Sequence, residues 1–158
     1  MNPPTAAPTP SAELEALLAT LHSLRRSVLD KLAGLSEDDA RRSTVPTGTN
    51  LAGLLQHLTF VESKWFEQIV DGGKQTRGRR SMTVDPSTSL ATLRADYRAA
   101  CEAGDQIIHR LADPATPVTH NGKTRDLRWA ILAVINETAR HAGHADIIRE
   151  QIDGRTGR

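Results

Sequence analysis

Residues 126–152 read DLRWAILAVINETARHAGHADIIREQI, and this stretch decides both the fold class and where chemistry can occur. Its apolar residues recur at helical spacing: Leu127, Ala130, Val134, Ala145, Ile148 and Ile152 share one stripe. Glu137 and His141 fall on the same stripe, four residues apart, so their side chains point the same way. A carboxylate and an imidazole on a core-facing stripe cost free energy unless something pairs with them. A divalent metal held by both, with a third ligand from another helix, removes that cost. The alternative is a buried Glu–His hydrogen bond that only stabilises packing.

Three more segments carry the same period. The first runs from about Ala12 to Ala33, with Leu14, Leu17, Leu18, Leu21, Leu24, Val28 and Leu32 on one face, Ser11 placed to cap it and Gly34 to end it. The second runs from about Leu51 to Asp71 and presents Leu51, Leu54, Leu55, Leu58, Val61, Trp65 and Ile69. Thr49 or Asn50 caps it, and Gly72-Gly73 stops it. The third is expected to start at Asp85-Pro86 and to carry Leu90, Leu93, Tyr97, Cys101, Gly104, Ile108 and Leu111 before Asp113-Pro114 closes it. Four amphipathic segments of this length predict an all-α fold, a four-helix bundle with long loops between its helices. Asn121-Gly122, inside Thr119 to Arg125, predicts a small hairpin in one of those loops. Residues 1–10 hold four prolines and read as a disordered leader, leaving residues 11–154 as the bundle domain.

Composition narrows the function classes. The chain has 158 residues and a formal net charge of +1, which gives no global pull toward nucleic acid or a membrane surface. Hydrophobic residues make up 38% and aromatics 3%, so the core is aliphatic. No stretch approaches the roughly 20 apolar residues that span a bilayer. The single cysteine, Cys101, excludes an internal disulfide, suits a reducing cytoplasm and reads as small core filling. Tyr97 and Trp65 read as core residues, and Trp129 falls on a face left for a loop or a second subunit to cover. Arg77, Arg79 and Arg80 read as a solvated loop or as a guide for an anionic substrate.

Bundle cores build metal sites from side chains on facing helices. His57 is the best third ligand, at the edge of the second segment's apolar face beside Leu54 and Val61. Two histidines and a carboxylate leave a coordination position for water or substrate, as in reactive rather than sealed sites. His144, three residues past His141, fits a fourth ligand, a partner behind a ligand, a proton carrier or a solvent-edge histidine. His22, His109 and His120 have no such partners in the sequence and read as surface residues.

The string Glu137 to Asp146, followed by Arg149-Glu150 and Asp153-Gly154, resembles the DinB-like superfamily, as does Asn50 to Leu58 with Trp65-Phe66 downstream. The resemblance covers nearly all of residues 12–154. Its nearest branch includes mycothiol-dependent maleylpyruvate isomerase and the mycothiol S-transferases. It implies a four-helix bundle with an unusual connection order, often a homodimer, and a divalent metal on His57, Glu137 and His141. That metal would be zinc, with nickel, manganese and iron as alternatives. Two positions depart from the pattern: Ala133, where close relatives often carry His, and Asn136, where they carry Glu. The isomerases also carry a further C-terminal domain, which favours transfer over isomerisation here. The preferred reading of these residues is a metal-dependent transferase: the metal lowers the pKa of a low-molecular-weight thiol, His144 takes the thiol proton, and the thiolate attacks an electrophile; the resemblance implies that the thiol is mycothiol. A hydrolase working through a metal-bound hydroxide, or a non-enzymatic dimeric bundle with a vestigial metal site, are the alternatives.

Overall fold

Each long helix begins where a short polar side chain closes its first turn, in a computed structural model that describes residues 11–157. The proline-rich stretch 1–10, expected to be a disordered leader, lies outside the described residues. Ser11 Oγ accepts from the Leu14 amide and opens α1 (Ala12–Lys31), and Ser36 caps the one-turn α2 (Glu37–Arg41). Asn50 accepts from the Gly53 amide at 2.9 Å and opens α3 (Leu51–Glu62). Ser89 opens α4 (Leu90–Leu111), and Asp126 accepts from the Trp129 amide at 2.8 Å to open α5 (Leu127–Asp153). These caps satisfy amides that no helical carbonyl can reach. Between α4 and α5, strands β1 (Pro117–His120) and β2 (Lys123–Asp126) pair antiparallel about Asn121-Gly122, both at positive φ.

Two expected features shift. The third long helix starts at Leu90, not at Asp85-Pro86. The Asp85 carboxylate is used within its own turn by the Ser87 amide and hydroxyl. The Leu90 amide instead finds Glu37 of α2 at 2.7 Å, so a tertiary partner sets the helix start. The second helix also changes register: after Glu62 it continues as a π-helix over Ser63–Val70. The wider turn buries Glu62, Ser63 and Phe66 together and moves Trp65 to a half-buried position. Phe66, not Trp65, is therefore the core aromatic of this helix. Its ring lies so close to Gly104 that an added Cβ would sit 2.6 Å from it, which explains a glycine inside α4.

The core has two apolar clusters. One joins the end of α1 (Val28, Leu32), the start of α3 (Leu51, Leu54, Leu55, Leu58), the start of α4 (Leu90, Leu93, Tyr97) and the end of α5 (Ala142, Ala145, Ile148). The other joins the opposite ends: Leu14, Leu18 and Leu21; Val61 and Phe66; Ile107 and Ile108; Leu127, Ile131 and Val134. Hence α1 runs parallel to α5 and α3 to α4, the two pairs antiparallel. Because α3 and α4 run the same way, the chain must return along the bundle between them, and residues 71–89 do so. No helix among the described residues is long and apolar enough to cross a membrane.

A polar layer separates the clusters. Arg25 of α1 donates through Nε and Nη2 to both carboxylate oxygens of Glu62 at 2.8 and 2.7 Å, and through Nη1 to Asp105 of α4 at 2.7 Å. Arg25 and Glu62 are 5% and 1% exposed, so the pair is desolvated. His22, expected to lack a partner, has Nε2 2.9 Å from the other Asp105 oxygen. Thr138 of α5 sits at the same level, its hydroxyl donating to the Val134 carbonyl at 2.8 Å. Burial, and then the Glu62 carboxylate, push the adjacent Cys101 thiol up, so the cysteine stays a protonated filler as its place on the stripe suggests.

Removing one partner of a buried pair strands the other's charge. Glu62→Ala should lower unfolding free energy by about 3–5 kcal/mol in urea titrations. The double variant Arg25→Met/Glu62→Leu should recover most of that loss. A single variant within about 0.5 kcal/mol of the parent would show that the pair contributes little.

Candidate metal centre

α5 carries Glu137 and His141 one turn apart, and α3 brings His57 against them. The His57 and His141 rings stand edge to face with centroids 4.9 Å apart. His141 Nε2 lies 3.6 Å from Glu137 Oε2. One ligand atom from each of the three residues falls within 4.8 Å of the other two. His141 is buried, while His57 and Glu137 are half-buried, which puts the cluster at the margin of the core and leaves it reachable from solvent. These three residues were expected to meet, and they do.

His57 is oriented by the returning segment 71–89. Its Nδ1 donates to the Arg80 carbonyl at 3.0 Å, so Nε2 keeps its lone pair for the cluster. The segment is fastened along α3 at several points. Gln56 Nε2 donates to the carbonyls of Ser81 and Thr83 at 2.8 and 3.1 Å, on either side of Met82. The Ser63 hydroxyl accepts from the amides of Thr76 and Arg77. Burial works to raise the Glu67 pKa, but hydrogen bonds from Ser63 and Thr76 and the charge of Arg77, whose Nη1 lies 3.0 Å away, together hold it below the ordinary carboxylate value. Gly53 and Gly78 are glycines because a Cβ at either would strike the Met82 carbonyl or the α3 backbone at Phe60. The basic run expected to be solvated or substrate-guiding is thus partly structural: Arg77 pairs with Glu67, and Arg80 contributes its carbonyl.

The electrostatics suit a cation. Burial, and then the nearby His57, hold the His141 pKa below the ordinary histidine value, against the pull of Glu137. His141 therefore offers a neutral nitrogen, and Glu137 supplies negative charge, one of its oxygens also meeting Arg140 Nη1 at 3.2 Å. Two imidazoles and a carboxylate form a borderline donor set of the kind that holds zinc and neighbouring divalent ions with a position left open. His144 stands beside the cluster, exposed, its Nδ1 3.4 Å from His141 Nδ1.

Sequence reasoning passed over Gln56, Gly53 and the Arg80 carbonyl. It also passed over Arg25 and Glu62, although each lies four residues beyond a leucine of its stripe, Leu21 and Leu58. Asking which charged residues share an apolar face would have found both. His120 was read as a plain surface residue, yet it joins an aromatic cluster: Trp65 and Trp129 centroids are 5.0 Å apart, and His120 lies 6.2 and 6.1 Å from them. The face of Trp129 left open in the sequence is covered by this hairpin and by the π-helix.

A family model described as mycothiol-S-transferase matches residues 16–154. No curated protein matches the chain.

Zinc affinity, measured by competition with a chromogenic chelator, should fall below detection in His57→Ala and His141→Ala while circular dichroism still reports a helical fold. Gln56→Leu should weaken zinc binding about tenfold by loosening the Arg80 carbonyl from His57; unaltered affinity would show that the returning segment does not orient the ligand. The metal-free protein should lose stability as pH falls. A folded-state pKa below the unfolded value means the His141 contribution is present above the ordinary histidine range and disappears as pH drops through the lowered value. The melting temperature of His141→Gln should vary less with pH between about 7 and 5 than that of the parent.

Proposed function

The chain belongs to the mycothiol S-transferase family, and on that premise we propose that it joins the thiol of mycothiol to an electrophilic carbon at the His57–Glu137–His141 cluster. The observation that carries this reading is the preset cluster itself: three donors within 4.8 Å, at a margin open to solvent, with His57 already held by the Arg80 carbonyl. A divalent cation bound there, zinc by its donor set, supplies the positive charge that lowers a thiol's pKa and favours the thiolate near neutral pH.

The residues around the cluster then have defined tasks. Where a cation takes the Nε2 of His141, beside Glu137, the ring proton would sit on Nδ1, which lies 3.4 Å from His144 Nδ1. At 3.4 Å that contact is loose, and His144 Nδ1 can exchange it for the proton released by the thiol. The sulfur electron pair forms the S–C bond. The leaving group departs with the pair of the bond it breaks; where the electrophile is an activated double bond instead, the adjacent carbon takes the proton back from His144. Burial of His141 under α3 keeps its ring fixed while His144, on the exposed face, stays free to turn.

Zinc-loaded protein given mycothiol and an alkyl halide should consume thiol and halide in equal amounts, and chelation should stop it. His144→Ala should slow turnover about 100-fold with zinc content unchanged. Loss of zinc in that variant would make His144 a fourth ligand. Turnover of an ester without any thiol would replace S-transfer with hydrolysis.

A further inference from the structure

One turn beyond His141, α5 borders a groove of about 290 Å³ lined by Val45, Thr47, Thr49, His144, Ile147 and Ile148. Among the described residues, no Asp, Glu, Lys or Arg lines it. Its outer wall is a preformed turn: Ser43 Oγ donates to the carbonyls of Val45 and Thr49 at 2.8 and 3.1 Å, and the Thr47 and Thr49 hydroxyls meet at 3.0 Å. Gly48, at φ +80°, reverses the chain, with its amide on the Val45 carbonyl. The hydroxyls that border the groove are engaged with one another, which leaves its aliphatic walls to make the contacts. Ile147 is 57% exposed at its rim, an isoleucine that contributes little to the core. His144 is shared: it lines this groove and touches the metal cluster.

We propose that this groove holds the apolar part of the electrophilic co-substrate, and that Ile147 and Val45 set a preference for electrophiles bearing a ring or short hydrocarbon. The inference rests on the S-transfer reading, and it follows from continuity. A group seated against Ile147 and Ile148 lies beside His144, whose Nδ1 is 3.4 Å from His141 Nδ1 at the edge of the cluster. The volume suits one ring-sized group. A second copy of the chain is a poorer occupant. The other exposed large hydrophobic among the described residues, Leu132, lies about 22 Å away along α5, so the two do not make one apolar patch of the roughly 800 Å² per partner that a stable dimer uses.

The test has two arms. In the first, zinc-free protein is titrated with nitrobenzene, an unreactive ring, and the His144 imidazole protons are followed by NMR. They should shift saturably in the parent and in Ile147→Leu, and not in Ile147→Asp. An absence of shift in the parent overturns the groove proposal whatever the catalytic result. In the second, zinc-loaded protein with mycothiol is given 1-chloro-2,4-dinitrobenzene or iodoacetamide. Ile147→Asp should raise KM for the aromatic halide about tenfold with kcat within about twofold, should shift KM for iodoacetamide far less, and should be rescued by Ile147→Leu. Equal shifts for both electrophiles overturn the proposal. Saturable nitrobenzene binding without thiol transfer by the parent would sink the S-transfer reading and, with it, the identity of the occupant. If sedimentation shows a parent dimer that Ile147→Asp turns into a monomer, the groove is an interface between copies and the proposal falls.

Discussion

Everything in this bundle is registered on the desolvated ion pair between Arg25 and Glu62. It occupies the level at which the two apolar clusters part, and it ties α1, α3 and α4 together through the shared Asp105 carboxylate. Apolar side chains tolerate sliding by a methylene or two; a two-pronged guanidinium–carboxylate pair in low dielectric does not. Arg25 keeps its proton firmly: burial opposes the charge, but the Glu62 carboxylate outweighs it. Glu62 is also the residue at which α3 gives way to the π-helix.

From that register follows the placement of His57. It lies five residues before Glu62 on the same rigid helix, so the ion pair sets its height against α5. Its ring orientation comes from a different source. Parallel α3 and α4 oblige the intervening chain to run back along the bundle, and the returning segment lies on α3 through Gln56, Ser63, Glu67, Gly53 and Gly78. A connection that looks like mere linkage becomes the outer support of a candidate ligand. The order of the bundle thus has a structural consequence at the candidate site: a simple up-and-down bundle would have a short turn here and no returning segment to offer His57 a carbonyl.

The cluster sits where stability gains least from it. His57 and His141 press two imidazoles together beside a half-buried carboxylate, and burial already disfavours charge on His141. An aliphatic core would be better served by leucines. Groups that cost stability and converge at a solvent-reachable margin are the usual signature of a site kept for binding or chemistry. The two clusters on either side carry the fold, so the site can bear that cost.

Most helix positions, the caps at Ser11, Asn50 and Asp126, and the pairing of Glu137 with His141 were legible in the sequence, because all of them are local. Periodicity fixes which residues share a face of one helix, a cap is read within four residues, and Glu137 and His141 stand on a single turn. The choice of His57 needed only the assumption that an edge histidine on a facing helix turns inward. The start of α4 at Leu90, the exchange of Trp65 for Phe66, the Arg25–Glu62 pair and the hold of Arg80 on His57 were decided by tertiary structure. The physical reason is common to all four. Each is a contact between segments distant in the chain, and two of them end on groups whose availability the sequence does not write: a backbone carbonyl whose position depends on the path of a loop, and an amide that accepts whichever carboxylate the fold brings to it. Periodicity says which way a side chain faces; only the packed structure decides what it meets there.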